Sequence, residues 1–95
     1  MRRLLLSPRA EADLEAIGDY IARDNPKRAV SFVTELHLRC QRIADAPASF
    51  PLREELGAGV RMAVHGRYLI FFREEPEAVR IERVLHGARL LKDML

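Results

Sequence analysis

Five consecutive apolar strand formers, Tyr68-Leu69-Ile70-Phe71-Phe72, place the tightest constraint on how this 95-residue chain can fold. A half-exposed strand alternates apolar and polar side chains, whereas an unbroken apolar run carries apolar groups on both faces and needs cover on both. The run is therefore expected to form a central strand, within an element from Arg67 to Arg73. A second strand follows at Val79 to His86, after a turn at Glu74-Glu75-Pro76-Glu77. There Val79, Ile81 and Leu85 alternate with Arg80, Glu82 and His86, the period of two expected of a strand with one face on a core. Val84 interrupts the polar face and Arg83 places a charge on the apolar one. That mixture points to an inner strand whose second face is partly covered.

The rest of the chain supplies the neighbours. Arg2 to Leu6 is a short apolar segment, read as the first strand. Ser7-Pro8 then gives a helix cap followed by proline at the first helical position, where its missing N–H costs nothing. Ala10, Leu14, Ile17 and Ile21 recur at helical spacing, and Glu11, Asp13 and Glu15 sit where the helix dipole favours anions. Asn25-Pro26 repeats the device after a tight connection at Arg23-Asp24-Asn25. The second helix runs to about Asp45, ahead of Pro47, on a stripe of Ala29, Val33, Leu36, Cys40 and Ile43 widened by Phe32 and Val30. Ala46 to Ala58 reads as an irregular loop with a helical turn at Arg53 to Leu56. Val60, Met62 and Val64 alternate with Arg61 and Ala63 as a further strand, and His65-Gly66 signals a two-residue turn. A short helix from Ala88 to Leu95 closes the order β-α-α-β-β-β-α. The fold class is α+β in a single domain over residues 1–95: a helical hairpin on a three-strand antiparallel meander, with the first strand joining parallel to the last.

Composition excludes several classes of function. Hydrophobic residues make up 48% and charged residues 32%, which is globular and not disordered. No apolar run approaches the roughly 20 residues of a membrane-spanning helix, and Ser7-Pro8-Arg9 ends the N-terminal apolar run too soon for a signal peptide. A single cysteine, Cys40, cannot form an internal disulfide, which points to the cytoplasm and to a small buried hydrophobe. No GxGxxG, P-loop, CxxC or HExxH occurs, so no cofactor and no metal is expected. A net charge of +2 permits an acidic partner but does not argue sequence-specific nucleic-acid binding by this chain alone. His37 flanks the second helix's stripe as a polar neighbour.

Taken in order, Ser7-Pro8-x-Ala10-x-x-Asp13-Leu14, Gly59-Val60-Arg61, Gly66 to Arg73 and Ile81 to Arg89 resemble the RelE/ParE family of type II toxins, over nearly the whole chain. The resemblance implies one of two activities. RelE-type members cut messenger RNA on the ribosome, and ParE-type members of similar fold poison DNA gyrase. RNA cleavage by a 2′-hydroxyl needs a base, a cation for the charged phosphorane and an acid. RelE-type nucleases commonly carry an arginine in the strand after the hairpin turn, where this chain has Leu69. They also carry a tyrosine or histidine after the last strand, and none follows His86 here. The resemblance thus implies a chain nearer to ParE, expected to have no catalytic site and to act by inhibiting gyrase and blocking replication.

The alternative is a ribosome-dependent mRNA endonuclease built from His86, Arg61 and Arg83, with Tyr68 as a further acid. A third reading is a binding module without toxicity that only sequesters an antitoxin. His86 is first expected to cap backbone groups before Gly87, and Tyr68 to lie in the core. The resemblance implies a ParD-like antitoxin, acidic or amphipathic in its C-terminal part, that lays a helix on the hairpin and extends along the sheet. The residues expected to meet it are Leu14, Ile17, Tyr20, Ile21, Arg61, Arg73 and Arg83. Arg83 is the arginine most in need of a counter-charge, from the antitoxin or from an acid on a helix. The residues expected to meet gyrase are Arg89, Leu90, Lys92 and Leu95.

Overall fold

Each helix begins where a polar side chain can satisfy its first free N–H groups. In the computed structural model, which describes residues 2–88, the Ser7 hydroxyl accepts from the Ala10 N–H at 3.0 Å. Asn25 Oδ1 accepts from the Arg28 N–H at the same distance. Helix α1 spans Pro8–Ala22 and α2 spans Pro26–Asp45. Both prolines stand in the first turn, where an N–H would have no intrahelical acceptor. The strands are β1 Arg3–Leu6, β2 Val60–His65, β3 Tyr68–Glu75 and β4 Ala78–His86. They form one sheet in the order β1-β4-β3-β2, with β1 parallel to β4 and the other pairs antiparallel. The apolar run of β3 is central, as its composition requires.

The helical hairpin covers one face of the sheet. Leu36, Cys40, Ile43, Ala10, Leu14 and Ile17 from the helices meet Ile70, Phe72, Val79, Ile81 and Val84 from the strands. A smaller cluster of Val60, Phe71 and Leu85, joined by Leu56, Met62 and Leu69, lies apart from this core. Val30 does not widen the buried stripe of α2: it is 71% exposed.

A bulge in β4 corrects the face assignment made from alternation. Phe71 stands opposite Arg83 and Phe72 opposite Ile81, so Glu82 is one residue in excess of the β3 ladder. An extra residue shifts the phase of everything after it. Val84 therefore joins Val79 and Ile81 in the main core, and Leu85 joins the second cluster. The mixed pattern around Arg83 and Val84 marks this change of phase.

The β2–β3 turn sits one residue later than the sequence signal suggested. His65 pairs with Tyr68, leaving Gly66-Arg67 as the two-residue loop with Gly66 at φ +61°. The stretch before β2 folds into two single 3₁₀ turns, Pro47–Ser49 and Glu54–Leu56. Between them Leu52 bridges to Arg61, the Arg53 N–H donates to the Val60 carbonyl at 2.7 Å, and the Met62 N–H donates to the Pro51 carbonyl at 3.2 Å. These bonds cover part of the edge of β2 that would otherwise be open to another strand. Gly87 and Ala88 begin a helical turn, and the remainder of the expected C-terminal helix lies outside the described residues.

Candidate functional site

β1 ends at Leu6, while β4 continues five residues beyond its last β1 partner, Ile81. That leaves the edge of β4 facing α1 instead of a strand. Two α1 groups occupy it. Ser7 donates its hydroxyl to the Glu82 carbonyl at 2.8 Å, and its N–H donates to the Ile81 carbonyl at 2.9 Å. One turn and a half later, Asp13 turns its carboxylate to the strand. It accepts from the Val84 N–H at 2.9 Å and from Arg83 through Nε at 2.8 Å and Nη2 at 3.0 Å. Three donors on one carboxylate, two of them from one guanidinium, make a charge-assisted fork between helix and sheet. The counter-charge that Arg83 was expected to need thus comes from within the chain. Of the two sources expected for it, the acid on a helix is the one seen within the chain.

The other two arginines are fixed on different sides. Arg61 donates through Nη1 to the Phe50 carbonyl at 2.6 Å and lies 3.3 Å from Glu74, which also pairs with Arg2. It ties the loop before β2 to the sheet. Arg73 donates to the Ala58 carbonyl at 3.1 Å and lies 3.6 Å from Glu82. With Arg9 and Arg83 it surrounds a cavity of about 260 Å³ floored by Val60, Phe71 and Leu85. The bulge brings Glu82 and Arg83 to the same cavity, which alternation alone would have placed on opposite faces.

His86 stands at the far end of β4. Its Nδ1 accepts from the Ala88 N–H at 3.2 Å, so the backbone-capping expectation holds. The ring meets Tyr68 edge to face, with centroids 5.3 Å apart and planes at 85°. Burial, with a smaller contribution from Tyr20, raises the pKa of the Tyr68 phenol above its ordinary value, so it stays neutral at physiological pH. Tyr68 also meets Phe32 at 5.4 Å. An open cleft of about 730 Å³ lies beside this end of the strand, lined by His86, Tyr68, Tyr20, Arg23, Asp13 and Asp19 among others.

The three groups proposed for RNA cleavage do not converge. Arg61 is opposite Phe72 and His86 opposite Tyr68, on strands either side of β3. Four residues of rise and two strand spacings separate their backbones by roughly 16 Å. Arg83 is turned to Asp13. Leu69, at the position where the resemblance expects arginine, packs with the second apolar cluster. Among the described residues no group of three or more His, Cys, Asp or Glu side chains could hold a metal ion.

The residues expected to receive an antitoxin on the hairpin divide by exposure. Leu14 and Ile17, 5% and 8% exposed, are corrected from surface to core, because the helical stripe they belong to is the one that packs on the sheet. Ile21 is partly buried against the same core, and Tyr20 is 66% exposed. Arg89, Leu90, Lys92 and Leu95, expected to meet gyrase, lie outside the described residues. Sequence reasoning gave Asp13 only a helix-dipole role. Its seven-residue separation from the end of β1, on the face that carries Ala10 and Leu14, was the available clue.

The fold belongs to a class represented among solved toxin–antitoxin systems. A chain of the chromosomal ParDE TA system from P. aeruginosa superposes with a TM-score of 0.80 at 22% identity, covering 90% of this chain and 96% of that one. In sequence, Toxin ParE1 of Caulobacter vibrioides is 36% identical over 89 residues, covering 90% of each chain. Toxin RelE2 of the same organism is 34% identical over 92 residues, covering 95% of this chain and all of the relative. Residues 4–91 match the model of the ParE toxin of type II toxin–antitoxin system, parDE, and the chain belongs to that family.

Proposed function

We propose that this toxin acts by binding DNA gyrase and blocking replication, that it cleaves no RNA, and that a ParD-like antitoxin neutralises it. The observation that carries the non-enzymatic part is the dispersal of the candidate catalytic groups. A nuclease needs a cation beside its acid or base. Here Arg83 forks onto Asp13, Arg61 is tied to Phe50 and Glu74, and His86 caps Ala88. Family membership supports the toxin role and the antitoxin partner. The gyrase target follows from the ParE side of the resemblance, and with it a cytoplasmic place of action. The antitoxin is expected to lie along the α1–α2 hairpin.

The likeness to Toxin RelE2 favours one rival, cleavage of messenger RNA on translating ribosomes. Two assays on the purified chain separate the readings: gyrase supercoiling with detection of cleaved DNA, and primer extension on ribosome-bound message. Inhibited supercoiling with intact message supports the gyrase reading. Cut message with unaffected gyrase overturns it.

A further inference from the structure

Strand parity turns Leu69 and Phe71 of β3, Val60 and Met62 of β2 and Leu85 of β4 away from the hairpin, onto the other face of the sheet. The cavity of about 260 Å³ lies there, with Val60, Phe71 and Leu85 as its floor and Leu56 of the Glu54–Leu56 turn at its side. Its volume falls below the roughly 300–1,000 Å³ of a site for a drug-sized ligand, so it suits one side chain better than a cofactor. The floor residues are themselves buried, which makes the cavity a socket and not a broad apolar patch.

Among the described residues, Arg9, Arg73, Arg83 and Glu82 are the charged groups around this socket. Asp13 holds and neutralises Arg83. Arg73 is set in place by the loop before β2: it donates to the Ala58 carbonyl, and Gly57, at φ +147°, makes room for its guanidinium. A Cβ at Gly57 would stand 2.9 Å from Arg73 Nη2, closer than side chains pack. Arg9, exposed in the first turn of α1, has no ion-pair or hydrogen-bond partner among the described residues. A cation there opposes the helix dipole, so its charge brings no benefit to α1. Glu82, 3.6 Å from Arg73, offsets one of the two remaining arginines and leaves one positive charge over at the rim.

We propose that this socket is the contact by which the toxin holds its target protein: it takes a leucine or phenylalanine side chain flanked by aspartate or glutamate in an acidic segment of gyrase. The apolar side chain fills the floor, and the flanking carboxylates meet Arg9 and Arg73, an apolar anchor ringed by complementary charge. The inference rests on the gyrase reading and names the surface and chemistry of that contact. It moves Arg73 from the antitoxin, where the sequence placed it, to the target. The antitoxin is expected along the hairpin, on the opposite face of the sheet. A nucleic-acid backbone fits less well, because phosphates gain nothing from an apolar floor and would meet Glu82. A second copy paired symmetrically through the socket would set Arg9 and Arg73 near their own counterparts.

The test titrates supercoiling by purified bacterial DNA gyrase with the full chain, with Arg9→Glu, with Arg9→Glu and Arg73→Glu together, and with Arg67→Glu. Arg67 is an exposed control at the β2–β3 turn. The double variant should need at least about tenfold more protein for half-inhibition, Arg9→Glu alone about threefold, and the parent's advantage should shrink at high salt. Arg67→Glu should match the parent, and all variants should keep its circular dichroism. Arg9→Glu breaks no contact of the described fold, so it decides the matter if the double variant unfolds. Unchanged inhibition by Arg9→Glu, or an equal loss in Arg67→Glu, overturns the proposal. So does loss in Arg9→Glu of DNA binding by the chain alone, of self-association, or of complex formation with a ParD-type antitoxin. If the parent leaves gyrase untouched, the gyrase reading falls, and growth arrest on induction then judges the socket. Arrest that Arg9→Glu weakens supports the socket as the contact with another target. Arrest that it leaves intact, or no arrest by the parent, overturns the socket as well.

Discussion

Removing the Asp13 carboxylate should unfasten α1 from β4. Asp13→Ala deletes three accepted hydrogen bonds at once, two from Arg83 and one from the Val84 N–H. Loss of one member of a buried ion pair costs roughly 3–5 kcal/mol. The side chains here are 11% and 23% exposed, so water recovers part of that at the Arg83 end. The Val84 N–H, on a buried residue, loses its acceptor outright, which alone costs about 1–3 kcal/mol. A net loss of about 2–4 kcal/mol follows, a large share of the roughly 5–15 kcal/mol that holds a small domain together. For a chain of this size it corresponds to a fall in Tm of roughly 10–25 °C. Asp13→Asn keeps one acceptor oxygen but not the charge and should fall between the parent and Asp13→Ala. The pair Asp13→Leu with Arg83→Met should lose less than the sum of the single changes, because neither ion then remains without the other. Urea and thermal melts followed by circular dichroism read the parent, these variants and the single changes Asp13→Leu and Arg83→Met. An Asp13→Ala cost under about 0.5 kcal/mol, or a double variant that merely adds, would refute the fork as a structural tie.

Three further outcomes are expected. Phe72→Ala should cost about 3–5 kcal/mol in denaturant melts, because Phe72 is fully buried and its ring meets Phe50 edge to face at 5.7 Å. The Cys40 thiol is pushed up to about 11 by burial, with Arg39 opposing. The folded state therefore holds the proton that the unfolded chain releases, and stability should fall as pH rises through 9 to 11. Cys40→Ala should flatten that slope relative to the parent. His86→Ala removes the Ala88 cap and the Tyr68 ring contact, for about 1 kcal/mol of stability. It should still arrest growth, whereas loss of a true acid or base would lower a nuclease rate by about 10²–10⁴.

The pairing scheme was legible because it rests on local signals that agree with one another. Two polar-proline caps fix the helix starts, and a five-residue apolar run fixes the central strand. The short first strand then has one economical partner, the last strand, and the observed register joins Leu4 to Val79 and Leu6 to Ile81. The bulge was not read, although its trace is present. Apolar residues of β4 that share the main core fall at Val79, Ile81 and Val84, spacings of two and then three. Alternation assumes a constant phase, and a residue in excess of the partner ladder violates that assumption at the point where Glu82 and Arg83 stand side by side. Reading Arg83 as a charge on an apolar face followed directly from the missed phase change.

Site residues were harder to read because their partners are set by where neighbouring elements end. Asp13 becomes an acceptor for Val84 only since β1 stops at Leu6 and leaves the edge of β4 to α1. Within α1 only helical phase distinguishes it from Glu11 and Glu15, two residues either side. Yet those two residues make the difference in function, because 100° per residue sends Asp13 toward the sheet and the others outward. The same stretch of helix thus holds one carboxylate that fastens the fold and two that stand in solvent. Exchanging the roles tests this directly. Asp13→Lys should destabilise the chain strongly, whereas Glu15→Lys should leave its melting temperature within a few degrees. A large stability loss from Glu15→Lys would show that the outer row is structural, and the division of α1 into a fastening face and a solvent face would fail.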